Sequence, residues 1–133
     1  MKVVLDVSAA IEIILHKENR QAFEEVYLSA ARVIAPDLFV AEITNVFWKI
    51  YRAGLMPEEE CLAYAEDGVD MIDRFFDSAK LWKRALKLSI KHNHPSYDML
   101  YLALAEKEKA LLMTSDKALA RLCGSVNIPC RSK

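Results

Sequence analysis

Residues 94–116 read HPSYDMLYLALAEKEKALLMTSD, and their reading decides the fold. Met99–Ala105 is apolar at almost every position, and a helix apolar all round belongs inside a protein rather than on its surface. A charged turn, Glu106–Lys109, follows. Ala110–Met113 is then a short unbroken apolar run, the mark of a parallel strand covered on both faces. An Asp stands at each end of this unit, Asp98 opening the helix and Asp116 just past the strand. Carboxylates beside a core are costly unless something uses them.

The same pattern starts the chain. Lys2–Leu5 (KVVL) is a second two-sided strand, Asp6 follows at its carboxyl end, and Val7-Ser8-Ala9-Ala10 turns into a helix carrying Ile11, Ile13, Ile14 and Leu15. Helical spacing of Ala22, Phe23, Val26 and Tyr27 predicts another helix over about Asn19–Ala30. Val33–Ala35 is a strand ended by Pro36. Phe39, Ile43, Val46, Phe47 and Ile50 form one stripe of a helix over Leu38–Ala53, closed by Gly54 where a left-handed residue is wanted. Glu42, Asn45 and Lys49 make a polar row beside that stripe.

Pro57 and Glu58–Glu60 open a further helix whose outer face is acidic through Glu66, Asp67, Asp70 and Asp73. Arg74–Asp77 reads as a short strand. Ser78 is expected to cap a helix reaching Lys91, and Val126–Pro129 to form the last strand. Strands alternating with helices predict an α/β fold, a three-layer α/β/α sandwich on a parallel sheet of about five strands. Residues 1–133 are expected to make a single domain.

Composition narrows the classes. Hydrophobic residues are 53% and charged residues 28%, a balance that excludes disorder. No apolar run approaches a membrane span and no leader pattern opens the chain, so the expectation is a cytoplasmic protein away from membranes. Cys61, Cys123 and Cys130 lack zinc spacing and read as reduced thiols, with a Cys123–Cys130 bridge as the alternative. A net charge of −1 removes any simple electrostatic case for nucleic-acid binding. Phosphate chemistry would need local charge or a bound cation.

Asp6, Glu42, Asp98 and Asp116 are the candidates for that chemistry. Singly, each has an ordinary reading as a helix cap, a favourable charge at a helix start or a solvated side chain. Together, four carboxylates in one crevice would repel unless a cation joined them, and an oxygen-only set suits Mg²⁺ or Mn²⁺. In parallel α/β sheets ligands bind outside the carboxyl ends of the strands, the edge to which Asp6 and Asp116 belong. Ser8 and Thr114 place hydroxyls beside two of these acids.

VVLDVSAAI, PDLFVAEITNVFWK, SYDMLYLALAEK and LLMTSDKAL, in this order along the whole chain, resemble the PIN domains, most closely the VapC-type toxin ribonucleases. The resemblance implies an endoribonuclease with catalytic, metal-binding Asp6, Glu42, Asp98 and Asp116, using Mg²⁺ or Mn²⁺ to hydrolyse RNA phosphodiester bonds. It also implies that Ser8, Asn45 and Thr114 support that cleft and that an antitoxin is the cognate partner. The same fold with silent chemistry, a binding or scaffold module, is the alternative. A phosphatase or phospho-acceptor using Asp6 lacks its second acid, since Ser8 stands two residues on.

Lys80, Lys83, Arg84, Lys87 and Lys91 lie at helical spacing and form a candidate RNA-binding face. Trp48 and Tyr51 are expected in the core or a dimer contact. The apolar and aromatic excess of Leu38–Asp73 predicts a homodimer. His92 and His94 read as surface or capping residues.

Overall fold

The computed structural model describes residues 1–133. Five parallel strands, β1 (Lys2–Leu5), β2 (Arg32–Pro36), β3 (Arg74–Phe76), β4 (Leu111–Met113) and β5 (Cys130–Arg131), are ordered β3-β2-β1-β4-β5. Register pairs Val3 with Val33 and Leu111, and Val4 with Ile34 and Leu112. Val3, Val4, Leu5, Ile34 and Leu112 are wholly inaccessible, as strands covered on both faces must be.

Helices α1 (Val7–Ile14), α2 (Arg20–Ser29), α3 (Leu38–Arg52) and α4 (Glu58–Asp70) join β1 to β2 and β2 to β3. They pack on one another, α1 touching all three of its companions. Helices α5 (Trp82–His92) and α6 (Ser96–Glu108) lead to β4, and α7 (Lys117–Ser125) leads to β5. Right-handed crossovers running in opposite directions from the sheet centre put these two groups on opposite faces. Three layers result.

Helix α6 buries more residues than any other helix, as its apolar sequence predicts. It lies over β1, β2 and β4, with Met99 and Tyr101–Ala105 all buried, because no polar side interrupts it. Helix α3 ends where expected, on Gly54 at φ +75°. Gly68 of α4 is required for close packing, since a Cβ there would stand 2.1 Å from Ile43 Cδ1.

Four local expectations are corrected. The last strand is Cys130–Arg131, not Val126–Pro129, because Asn127 turns at φ 58° and Ile128 donates its N–H back to the Cys123 carbonyl at 2.9 Å. Ser78 does not cap α5. Its hydroxyl and N–H bind Asp37 Oδ1, and Ser78–Lys80 is a 3-10 turn that takes Lys80 off the α5 helix. Asp73 lies beyond α4, with Oδ2 accepting the Val33 N–H at 2.7 Å and tying the start of β3 to β2. Of the two positions expected for Trp48 and Tyr51, the core is excluded, each being about half exposed, and the dimer contact is left. Cys61, Cys123 and Cys130 are free thiols.

Candidate active site

The strand order reverses between β1 and β4, so the chain leaves the sheet in opposite directions at the carboxyl ends of these neighbours. Such a point leaves a crevice. Asp6 emerges from β1 there, its N–H still donating to the Met113 carbonyl of β4. It is 94% buried and caps α1, Oδ1 accepting the Ala9 N–H at 3.0 Å and the Ser8 hydroxyl at 2.7 Å. Thr114 donates its hydroxyl to Oδ2.

Ser8 and Thr114 have one hydroxyl proton each, and both protons point at Asp6. Their oxygens, 3.3 Å apart, serve as acceptors: Ser8 Oγ takes the Ser115 N–H at 2.9 Å and Thr114 Oγ1 the Asp116 N–H at 3.0 Å. Asp6, Ser8 and Thr114 thereby lock the β1–α1 and β4–α7 junctions together. Even with three donors, burial pushes Asp6 up to about 6, and the charge of Asp98 adds to the rise.

Glu42 reaches the same edge from α3. Its Oε1 accepts the hydroxyl of the fully buried Tyr101 at 2.5 Å. Burial raises Glu42, the Tyr101 bond opposes this, and Asp98 raises it further. Tyr101 is itself raised, first by burial and then by Glu42, Asp6 and Asp98. Asp98 occupies the first turn of α6, with Oδ2 2.7 Å from His94 Nε2. Three carboxylates from three elements therefore share one field around the Tyr101 hydroxyl.

Asp116 is held differently. Its Oδ1 caps α7 by accepting the Ala118 and Leu119 N–H groups at 2.9 and 3.1 Å, and its link to Asp6 runs through Thr114. Asn45 lies exposed on α3 one turn after Glu42 and makes no hydrogen bond to the acids. No three acidic, histidine or cysteine side chains close around a common point, each acid instead leaning on a donor of the protein. The set is nonetheless oxygen-only, and burial, with the charge of Asp98 adding to it, holds Asp6 and Glu42 above the usual carboxylate range. Oxygen donors of this kind fit a hard divalent cation.

Two residues of this edge escape a reading for acids. Tyr101 was marked only by lying in an apolar helix with a hydroxyl that needs a partner. His94, expected at the surface, is mostly buried against Asp98. On α5, Lys83, Lys87 and Lys91 are exposed, whereas Arg84 is engaged by Glu106 at 2.7 and 2.8 Å, at the end of α6 remote from Asp98. A separate apolar groove of about 380 Å³ between α3 and α4, lined by Phe47, Trp48, Tyr51, Cys61 and Leu62, contains none of the four acids.

Comparison with known proteins bears on the family and the fold. The PIN domain model matches residues 3–125. Ribonuclease VapC3 of Pyrobaculum aerophilum is 33% identical over 126 residues, 90% of this chain and 93% of that protein. The crystal structure of PAE2754 from the same organism superposes with a TM-score of 0.76 at 16% identity, covering 99% of this chain and 84% of that one. VapC20 of Mycobacterium tuberculosis, described as a sarcin-ricin loop cleaving toxin, gives 0.69 at 14% identity, covering 90% and 94%. With a family model spanning nearly its whole length and a full-length relative at one-third identity, this chain belongs to the PIN domain family.

Proposed function

We propose that the chain is a metal-dependent endoribonuclease that hydrolyses RNA phosphodiester bonds, and the toxin of a type II toxin–antitoxin pair. The observation that carries this reading is the meeting of Asp6, Glu42 and Asp98 at the sheet's switch point, where burial raises Asp6 and Glu42 and the charge of Asp98 raises both further. The ribonuclease and toxin activities named for the relatives support it. Asp6, Glu42, Asp98 and Asp116 would hold Mg²⁺ or Mn²⁺, which supplies an activated water and neutralises the leaving oxygen.

The chain's own groups prepare that chemistry. Ser8 and Thr114 fix both oxygens of Asp6, Tyr101 fixes one of Glu42 and His94 one of Asp98. Each acid thus keeps lone pairs in a set direction. Asn45 faces solvent a turn beyond Glu42, placed to meet the substrate. Lys83, Lys87 and Lys91 of α5, with Lys80 ahead of them and Arg84 only in competition with Glu106, provide a basic face for the RNA backbone.

A cytoplasmic location, a homodimer and a cognate antitoxin go with this reading. No helix is long and apolar enough to cross a membrane. The half-exposed Trp48 and Tyr51, lining a groove with Leu62 and Glu58 of α4, offer an apolar surface with an acidic margin to a protein partner. Light scattering over micromolar concentrations tests the dimer, which a monomer throughout that range refutes.

The deciding experiment is end-sequencing of a cellular RNA pool treated with wild type and Asp98→Asn, with Mn²⁺ or chelator. Discrete new ends that need both Mn²⁺ and Asp98 are expected. Equal cleavage by both proteins removes the carboxylate site. No cleavage by either, with no Mn²⁺-dependent stabilisation, favours the silent scaffold.

A further inference from the structure

A second cleft borders the acids from the other side. It encloses about 380 Å³ where the start of α7, the cap of α2 and the tail after β5 converge, and Asn19, Ser115, Lys117, Arg121, Ser132 and Lys133 line it. Three of these carry positive charge and none is acidic. Lys117 and Arg121 are one turn apart on α7, the spacing that presents two side chains to one ligand. The four ion pairs of the molecule leave Lys117, Arg121 and Lys133 unpaired, whereas Arg84 on α5 is neutralised. Asp116 is the nearest acid along the chain, and its Oδ1 is already committed to capping α7. Glu12 accepts the Asn19 N–H at 3.4 Å, a weak contact at the cleft's margin.

The cleft is fastened to the acidic edge. Ser115 lies on its wall, donates its N–H to Ser8 Oγ and sits between Thr114, bonded to Asp6, and Asp116. An anion held by Lys117 and Arg121 would therefore be positioned relative to Asp6 through two hydrogen bonds and no flexible segment. Lys83, Lys87 and Lys91 of α5 are likewise unpaired, but the three cations of this cleft are tied to the acidic edge through Ser115.

We propose that this cleft is a phosphate subsite that seats the RNA backbone next to the bond to be cut and sets its register. The inference deepens the ribonuclease reading and rests on it for the nature of the ligand. It places the closest backbone contact on α7, while α5, on the far side of α6, carries the more distant strand. Backbone phosphates are the fitting ligand because three cations with serine and asparagine groups offer donors, and Ala120 is the one hydrophobic residue of the lining.

The test uses the full chain, a single-stranded RNA labelled for fluorescence anisotropy, and Lys117→Gln/Arg121→Gln beside Lys83→Gln/Lys87→Gln. Binding is measured in chelator over a range of salt, and cleavage is followed with Mn²⁺. All four positions are exposed, so both variants should fold; unchanged circular dichroism checks this. Loss of one or two phosphate contacts should raise Kd about tenfold and flatten the salt slope by about 1. KM should rise similarly with kcat within about twofold, and Lys117→Arg/Arg121→Lys should restore both. Unchanged Kd and slope in the α7 variant overturn the proposal, as does absence of RNA binding by the wild type. RNA binding that depends on Lys117 and Arg121 without any cleavage would instead retain the cleft and remove the ribonuclease reading.

Discussion

Asp6→Asn should make the metal-free protein more stable while destroying its activity. Folding raises the Asp6 carboxyl from 3.8 to about 6, chiefly through burial. A raised carboxyl favours folding fully below the unfolded value and loses that benefit as pH climbs through the folded value. The folded state therefore carries a penalty of about 3 kcal/mol near pH 8 and only about 0.5 kcal/mol near pH 4. Asparagine carries no such penalty. Its carbonyl can still accept from Ser8 and Ala9, and its amide can donate to Thr114 Oγ1 if that hydroxyl turns toward Ser8, a rearrangement costing about 1 kcal/mol.

The net gain near pH 8 is then about 2 kcal/mol, or roughly 5–8 °C in Tm for a chain of this size. Near pH 4 the gain should vanish or reverse. Urea melts in chelator, followed by far-ultraviolet circular dichroism, measure this directly. Trp48 and Trp82 are half exposed and make poor fluorescence probes of the core. Glu106, whose carboxyl is lowered by Arg84, works in the opposite pH direction but is common to both proteins and cancels. Mn²⁺ should stabilise only the wild type. An Asp6→Asn protein less stable than wild type near pH 8 in chelator, or a difference independent of pH, would refute the account of Asp6 as a carboxylate under strain.

Other expectations are simpler. Tyr101→Phe leaves Glu42 Oε1 without its donor and should destabilise the fold by about 1–2 kcal/mol by urea melting. It should also lower the Mn²⁺-dependent shift in Tm; an unchanged shift would show that Glu42 needs no support. Gly68→Ala drives a methyl against Ile43, which is fully buried, so a net loss of about 1–2 kcal/mol is expected despite alanine's better helix propensity. A stabilised Gly68→Ala would mean that α3 and α4 can move apart freely. Arg84→Ala removes an exposed pair and should change stability by about 0.5 kcal/mol or less in thermal melts.

Most of the fold was legible because burial on two sides writes itself as unbroken apolar runs. Lys2–Leu5, Val33–Ala35 and Leu111–Met113 could be little else, and Met99–Ala105 had to lie between layers. The ends of elements were harder, being decided by bonds between distant residues. Nothing near Ser78 announces that Asp37 will take its hydroxyl, and Asp73 looks helical until Val33 is seen to claim its carboxylate. Val126–Pro129 has the residues of a strand, but Asn127 and the Cys123 carbonyl turn it into a loop.

The candidate site divides likewise. Asp6 and Asp116 follow strands, so their edge was readable. That each also caps a helix is no contradiction, since the cap uses one oxygen of each, Oδ1, and a carboxylate oxygen has more than one lone pair. Tyr101 was not readable as a partner because its acid lies across a layer, whereas His94 stands four residues before Asp98, a spacing that could have marked the pair. The cations of α7 and the tail are scattered through the sequence and converge only when β5 brings the end of the chain alongside β4.

The β3 border offers three residues, fenced by Asp73 and Asp77, and the β5 border only two. Borders so short cannot template an added strand, which guards a protein built on stacked apolar ribbons against polymerising edge to edge. Association is thereby forced onto helical surfaces, where specificity depends on side chains and can be altered one substitution at a time.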